Sequence, residues 1–383
     1  MVFCFWFSLY IYSPLFGVYL EKINFSYTAI GLILGSYGLT QVLFRLPLGI
    51  LSDRLVNFRK HMLIAGFISA FLSGLLLVFF DSFYIVLLAR LMAGINASMW
   101  VMATVLYSDY FNKEQASKGM GTMQFNTVIT QFFCVAISGY LIHLFGWKFP
   151  FLLGAVFSVF GMYFCLRIQE VKSVQAETVG LPFFSYFQRT HMIRGLKAIT
   201  FLSLIAHALL FITIFGFSVI LADTFGMTET QYIWLMSAFF LPHACISLLL
   251  VFLNLKPNTT YVLLFISFAA SALFILLIAN SSSLTELLLY HSGLGLSLGY
   301  AFPVLLSEVV RISPAELKMS AMGYYQSFYA IGIFVGPLLA GYAAEAIGLA
   351  NMFRVTALIT LLSAFVLINR GRDQRASSAD GNV

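Results

Sequence analysis

Most ionisable side chains in this chain lie in short segments between long apolar runs. The clearest such segment is GILSDRLVNFRK, in which one carboxylate, Asp53, is followed by three cations. A carboxylate at such a boundary can pair with guanidinium groups and face the positive end of a helix dipole. Asp109 lies at a second boundary and offers a further acceptor. We therefore predict a charged cluster at one end of the apolar segments, comprising Gly49, Asp53, Arg54, Arg59, Lys60 and Asp109.

Two further cations, Arg45 and Arg90, lie inside the apolar runs themselves. A charge in hydrocarbon costs about 2.5 to 3.5 kcal/mol on insertion scales, so each side chain must face a partner or water. Arg90 lies about two turns inside its run, too deep to reach the interface easily, and we interpret it as functional. Arg45 is open to two readings. It can serve the same site, or its side chain can extend to the nearby membrane interface.

Three histidines, His207, His243 and His291, fall within apolar runs of the second half of the chain. An imidazole titrates near neutrality and can serve as a proton carrier, a metal ligand or a plain hydrogen-bonding group. For each histidine alone, a satisfied structural role is the favoured interpretation, whereas the occurrence of three together favours a functional role for at least one. Since no Asp or Glu lies near the middle of any run, proton coupling would use histidine or the carboxylates at the ends of the runs.

Neutral polar residues at helical spacing predict the lining of a cavity. Gln124, Thr127 and Gln131 share one helical face in the first half, and Gln326 with Tyr329 do so in the second. These groups hydrogen-bond without carrying charge. Together with one or two cations, they favour an amphipathic or zwitterionic ligand.

The elements that must position these residues follow from composition. Of 383 residues, 61% are hydrophobic and 9% are charged, which is more apolar surface than one soluble core can bury. Runs of about 20 apolar residues cross a hydrocarbon layer of about 30 Å. Counting them predicts an all-α membrane protein with twelve spans, at 3–21, 28–52, 61–80, 83–107, 119–144, 149–168, 197–222, 230–253, 260–279, 284–310, 318–345 and 352–369.

The spans divide into two sets of six. We predict one bundle over residues 1–168, a middle loop over 169–196, a second bundle over 197–369 and a tail over 370–383. Positive charges are retained on the cytoplasmic side of short loops. With the N-terminus inside, sixteen of the 21 cations fall on that face and three on the other. We therefore expect both termini to be cytoplasmic, in a bacterial inner membrane.

The two sets of spans also resemble each other as sequences. A gap-free shift of 202 residues places MGTMQ at 120–124 over MGYYQ at 322–326, and Gly146 over Gly348. Parallel six-span repeats imply two bundles related by a pseudo-two-fold axis along the membrane normal, with a substrate site at their interface near the midplane.

Three segments carry a family resemblance. The charged cluster resembles the loop motif between spans two and three of the major facilitator superfamily, although Val56, Asn57 and Phe58 stand where that motif has a glycine turn. LLARLMAGINAS, around Arg90, resembles its fourth-span arginine motif. GIFVGPLLAG resembles its glycine-proline antiporter motif and contains three glycines expected at close helix contacts, Gly332, Gly336 and Gly341.

The resemblance implies a transporter that works by alternating access. It implies that the charged cluster holds the two halves together in the outward-open state, and that Arg90 acts in proton movement or anion binding at the cavity. The alternative for Arg54, Arg59 and Lys60 is that they only set topology.

The expected function is secondary active transport of a small amphipathic or zwitterionic solute. The span-eleven motif and Arg90 favour a proton-coupled exporter. The glycine-proline motif is missing from span five, which favours the alternative of a nutrient importer, either a symporter or a uniporter. A receptor that transports nothing is a poorer third reading, because little of the chain lies outside the spans.

Other classes are excluded by what the sequence lacks. It has no phosphate-binding glycine loop with its lysine, and no nucleophile beside a base, so we predict no enzyme. We expect no cofactor, no metal and no nucleic-acid partner, since the cations lie in short loops. The expected partners are the solute, protons and the lipid bilayer, and we expect a monomer.

Overall fold

The computed structural model describes residues 1–54, 59–108, 110, 116–169, 183–228, 230–252, 257–314 and 317–366. Within these ranges, the structure describes the backbone but not the side chains at 46, 49–54, 104–105, 108, 116–125, 128, 183–186, 248, 251–252, 257–260, 310 and 318–319. The described residues form helices joined by short turns.

The first six spans use eight helices, because spans one and four are interrupted. Span one breaks at residues 13–15, where Pro14 supplies no backbone N–H and the chain tightens into a 3-10 turn. Span four is divided at Met99. The helices are α1 (Val2–Tyr10), α2 (Phe16–Lys22), α3 (Tyr27–Arg54), α4 (Arg59–Phe79), α5 (Phe83–Ser98), α6 (Trp100–Ser108), α7 (Ala116–Phe145) and α8 (Phe149–Arg167).

A short helix, α9 (Phe183–His191), lies in the segment that the sequence indicated as a loop. Its last residue hydrogen-bonds the second half of the chain, with Nδ1 of His191 lying 3.0 Å from the hydroxyl of Tyr324. The Phe187 ring lies 5.8 Å from the same tyrosine ring. Helix α9 is therefore attached to the second bundle.

The second six spans follow the same plan. Span seven is interrupted by a π-helical turn, Thr213–Phe217, in which Gly216 leaves helical geometry at φ −137° and ψ −108°. The helices are α10 (Leu196–Ile212), α11 (Ser218–Thr224), α12 (Tyr232–Phe252), α13 (Pro257–Ala279), α14 (Leu284–Ile312), α15 (Lys318–Ile347) and α16 (Leu349–Ala364).

The predicted architecture of twelve spans in two bundles is confirmed. Among the described residues, nine helical segments are long and apolar enough to cross a membrane, and three shorter apolar helices, Ile129–Phe145, Tyr232–Ser247 and Leu349–Ala364, complete the set. The ends of the helices differ from the predicted bounds by a few residues. The breaks in spans one, four and seven were not predicted.

The backbone repeats at the spacing found in the sequence. Gly146 and Gly348 both have positive φ, at +84° and +83°, in the turns after spans five and eleven. Asn24 and Gly226, again 202 residues apart, have φ of +64° and +74° in the turns after spans one and seven. The breaks in spans one and seven also coincide under this shift. The sequence repeat is therefore a repeat of turn geometry as well as of helices.

Of all the described helix pairs, α3 and α15 pack most extensively, and they join the two bundles. We call the membrane face that carries the turns at 22–27 and 347–349 the distal face, and the face that carries Met1 the proximal face. In the predicted orientation the distal face is external.

Three glycines of α3 set the distal part of this contact. A Cβ at Gly35 would lie 2.3 Å from the carbonyl oxygen of Phe334, and one at Gly31 would lie 2.2 Å from that of Pro337. Gly38 approaches the backbone nitrogen of Phe334 equally closely. These glycines follow a four- and three-residue spacing and share one face of the helix. Because they have no side chain, the two backbones meet directly.

Candidate functional site

The interrupted part of span one faces the interrupted part of span seven across the bundle interface. The rings of Tyr10 and Phe215 lie 5.5 Å apart. Nearer the distal face, a Cβ at Gly17 would lie 3.0 Å from the carbonyl oxygen of Gly216. Broken helices of this kind commonly mark the solute site of transporters. The side chains around the two breaks are therefore candidates for the solute site.

Arg90 lies beside the break in span one. Its side chain is buried, with 1% of its surface exposed, and its Cζ lies 4.4 Å from the centre of the Tyr37 ring and 5.4 Å from that of Phe16. Its Nη1 donates a long hydrogen bond of 3.4 Å to the hydroxyl of Ser13. The predicted depth of Arg90 is thus consistent with a cation enclosed by aromatic faces.

Arg45 joins the two bundles. It is 4% exposed, and its Nη1 donates a 2.7 Å hydrogen bond to the hydroxyl of Tyr329, on α15. The guanidinium also lies 5.4 Å from the centre of that ring. The sequence left open whether this side chain reaches the membrane interface. The structure places it in the interior, where it bridges the halves.

His207 completes this set from α10. Its ring stacks on that of Tyr329, with centres 3.8 Å apart and planes 3° from parallel. Its Nδ1 lies 2.8 Å from the carbonyl oxygen of Ser203, which makes Nδ1 the donor and the protonated nitrogen of the neutral ring. The Ser203 hydroxyl in turn donates to that of Tyr325, at 2.7 Å. The imidazole is therefore held on both its face and its edge.

The other two predicted histidines have different surroundings. His291 is fully buried and has two partners, the carbonyl oxygen of Leu287 at 2.7 Å and the hydroxyl of Ser218 at 2.8 Å. Both ring nitrogens of His291 therefore have hydrogen-bond partners, as expected for a histidine with a structural role. His243 lies beside the rings of Phe239 and Phe302, and its buried Nδ1 has no hydrogen-bond partner among the described residues.

Only some of the glutamines predicted to line a cavity have described side chains. Gln131 is half-buried on α7. Gln326 lies on α15 one turn before Tyr329, and its buried Oε1 finds no partner in the described part of the chain. The side chain of Gln124 lies outside the described residues.

The three predicted contact glycines serve two different interfaces. Gly332 and Gly336 approach Leu204 and Ala208 of α10, within the second bundle. Gly341 approaches Tyr27 of α3, between the bundles. One glycine motif thus packs a bundle internally and also closes the distal face.

The charged cluster is described only in part. Arg59 is 4% exposed. The Nζ of Lys60 donates to the carbonyl oxygens of Leu166 and Ile168, at 2.8 and 3.1 Å, where α8 ends. This contact lies within the first bundle and satisfies carbonyl groups at a helix terminus. The side chains of Asp53 and Arg54, the surroundings of Gly49 and the whole of Asp109 lie outside the described residues, so the role of the charged cluster in holding the two halves together stays a prediction.

Comparison with known proteins decides the family. The Major Facilitator Superfamily profile matches residues 1–219 and 199–382. The chain belongs to the Major Facilitator Superfamily. It is a membrane transporter and not an enzyme.

Relatives of this superfamily member are distant. An uncharacterised transporter of Methanocaldococcus jannaschii is 21% identical over 369 residues, covering 92% of each chain. A probable sugar efflux transporter of Pasteurella multocida is 25% identical over 348 residues, covering 88% of this chain and 82% of that one. The crystal structure of a mutant of the nucleoside transporter NupG superposes with a TM-score of 0.77 at 16% identity, covering 96% of each chain. That last likeness shows the fold.

Several members of the site were not predicted. Arg45 was open to two interpretations, and Tyr37, Ser13 and Phe16 were not selected at all. The signal for Tyr37 is present in the sequence, since it precedes Arg45 by eight residues, about two turns of the same helix. Which aromatic residues enclose the cations depends on contacts between the bundles, which spacing along one helix does not specify.

Proposed function

We propose that this chain is a proton-coupled secondary transporter that exports a small amphipathic solute by alternating access. The observation that carries the proposal is the set formed by Arg45, Tyr329 and His207. It draws on both bundles, so a relative movement of the bundles must make or break the bond between Arg45 and Tyr329. A solute that binds there is therefore coupled to that movement.

The closed distal contact supports alternating access. Gly31, Gly35 and Gly38 hold the backbones of α3 and α15 in direct contact, so the two bundles are closed against each other at this point of the distal face. Transport across the membrane then requires a second state in which α3 and α15 separate at this end.

Proton coupling is proposed for His207. It is an ionisable group other than arginine at the contact between the bundles, and it touches the ring that Arg45 binds. Protonation adds a positive charge beside Arg45 and opposes their approach. The sugar efflux relative, 25% identical, supports export without deciding the solute.

The test uses the full chain reconstituted in vesicles. A thermal-shift screen of sugars, nucleosides and amphipathic ions identifies a solute, and its flux is then measured with and without a proton gradient. The gradient should drive accumulation in the wild type. His207→Gln should abolish gradient-driven accumulation but retain solute exchange at equal pH, because the binding groups remain.

The matched control is His143→Gln, at an exposed position near the distal end of α7, which should behave as wild type. If the flux through the wild-type protein does not depend on the proton gradient, the result contradicts proton coupling and supports the uniporter alternative. Gradient-driven movement in the opposite direction would support the nutrient symporter.

A further inference from the structure

Two buried cations, Arg45 and Arg90, have only neutral partners among the described residues. Arg45 binds the hydroxyl of Tyr329, and Arg90 contacts the hydroxyl of Ser13 and two aromatic faces. The Nε of Arg45 and that of Arg90 are both buried and have no hydrogen-bond partner among the described residues. A buried guanidinium needs a counter-charge as well as hydrogen bonds, so this arrangement is incomplete.

The described acids do not supply that charge. Each lies near the end of its helix or in a turn, and each has another partner. Glu345 accepts from the backbone nitrogen of Thr28, and Glu308 is bonded to Arg311 and Tyr261. The remaining described acids are also engaged, in pairs formed by Glu21 with Tyr27, Asp81 with Lys148, Asp223 with Tyr232 and Glu286 with Ser282. In the sequence, every other Asp and Glu falls between spans or at their ends.

Aromatic rings cluster near the two cations. The Tyr37 ring stacks near Phe211, with centres 6.0 Å apart, and Tyr10 lies against Phe215. The Cζ of Arg90 lies 4.4 Å from the centre of the Tyr37 ring. Tyr37 and Arg45 are eight residues apart on α3, which corresponds to about 12 Å along the helix. A bicyclic aromatic carboxylate is of comparable length and could contact both residues.

We propose that the cavity takes an organic carboxylate with a flat aromatic body, its carboxylate bound by Arg45 and its ring system lying toward Tyr37 and Arg90. This proposal rests on the transport function proposed above and names its substrate class. A carboxylate supplies the missing negative charge, and it matches the fork geometry of a guanidinium. Arg90 contributes its charge to the far end of the cavity.

The experiment compares naphthalene-2-carboxylate with its neutral isostere, naphthalene-2-carboxamide, on the purified full chain in detergent. Calorimetry and thermal shift should show binding of the carboxylate and at least about 10-fold weaker binding of the amide, since one charge-assisted bond corresponds to a factor of that order. If the wild-type protein binds the two compounds equally, or binds neither, the proposal is overturned.

Variants then locate the carboxylate. Arg45→Gln should weaken its binding by about 10-fold or more, and Arg90→Gln by less, because charge-assisted hydrogen bonds exceed long-range attraction. Arg45→Lys should restore part of the affinity, which a purely structural role would not predict. The matched control is Arg354→Gln, an exposed arginine bonded to Asn280 and Asn351, which should bind as wild type.

Unchanged carboxylate binding in a folded Arg45→Gln protein would overturn the assignment of Arg45. Different results would contradict the transport function proposed above and the anion site proposed here. Carboxylate that binds but is not moved across vesicles contradicts transport and leaves the anion site standing. Vesicles that move a neutral solute while the carboxylate fails to bind contradict the anion site alone.

Discussion

The α3–α15 contact contains two stretches with opposite chemistry. In the distal stretch, Gly31, Gly35 and Gly38 meet the backbone of residues 333–341 with no intervening side chains. In the arginine stretch, Arg45, Tyr329 and His207 meet through one hydrogen bond and stacked rings. The first stretch fits one close approach of the helices and tolerates no added atoms. Under the proposal made above, the second exchanges its partner for a ligand. The same pair of helices thus provides a close backbone contact and the proposed binding surface.

The largest expected effect comes from adding one methyl group to the distal stretch. In Gly35→Ala the new Cβ would lie 2.3 Å from the Phe334 carbonyl oxygen. Overpacking of this kind costs about 1–3 kcal/mol, enough to shift a two-state population by about 5- to 150-fold. We expect slowed transport and faster labelling of cysteines placed at the distal end of the contact.

The matched change is Gly323→Ala on α15, where an added Cβ meets nothing within 4 Å. It should leave labelling and flux unchanged. Equal effects of the two substitutions would mean that the distal stretch is no tighter than the rest of the contact.

The arginine stretch should respond to loss of one hydroxyl. Tyr329→Phe keeps the ring on His207 but removes the acceptor for Arg45, and a hydrogen bond to a charged group is worth about 1.5–3 kcal/mol. Tyr325→Phe, on the same helix, removes a neutral bond with Ser203 worth about 0.5–1.5 kcal/mol. Thermal unfolding of the two variants should rank them in that order. The reverse order would show that Arg45 does not depend on Tyr329.

A smaller effect is expected where a carboxylate extends the distal stretch. Glu345 on α15 accepts from the backbone nitrogen of Thr28 at the start of α3, at 2.9 Å. Its negative charge also suits the positive end of the helix dipole. Glu345→Gln should widen the distance distribution between spin labels at positions 22 and 349. Glu286→Gln, which caps its own helix, is the control and should leave that distribution unchanged.

The smallest effect is expected outside the interface, in the turn after α4. Burial acts to raise the pKa of Asp81, but hydrogen bonds from Lys148 and Tyr19 outweigh it and hold the pKa below its ordinary value. A depressed folded-state pKa gives stability above the ordinary value that is lost as the pH falls through the folded-state value.

Asp81→Asn should therefore lower thermal stability near neutral pH and converge on the wild type as the pH falls below about 4. The pair is largely exposed, so the difference should stay under about 1 kcal/mol. A pH-independent difference between the two proteins would contradict the assignment. If cysteines at the distal end of the α3–α15 contact are labelled at the wild-type rate in this variant, the turn does not contribute to the distal stretch.

Much of the fold could be predicted because the bilayer constrains it. Apolar run length predicts spans, and the 202-residue shift predicts paired turns such as Gly146 and Gly348. Arg90 was predicted inside the protein because its depth leaves no other place for a charge. Arg45 was left open because its distance from the end of α3 allowed either an interface or an interior position. The role of His291 was equally open, since only the packing of α11 against α14 brings Ser218 to its ring.

The sequence by itself determined that the chain lies in a membrane, that it has twelve spans and that the spans repeat. The reason is that the free-energy cost of placing polar groups in hydrocarbon acts on each segment separately. Tertiary structure alone decided which residues of different bundles meet. It divided the glycines of one motif between two interfaces, placed Arg45 against Tyr329 and left its Nε without a described partner. Those outcomes depend on how α3, α10 and α15 approach one another, and the hydrophobic pattern of a single helix in lipid carries little information about its neighbours.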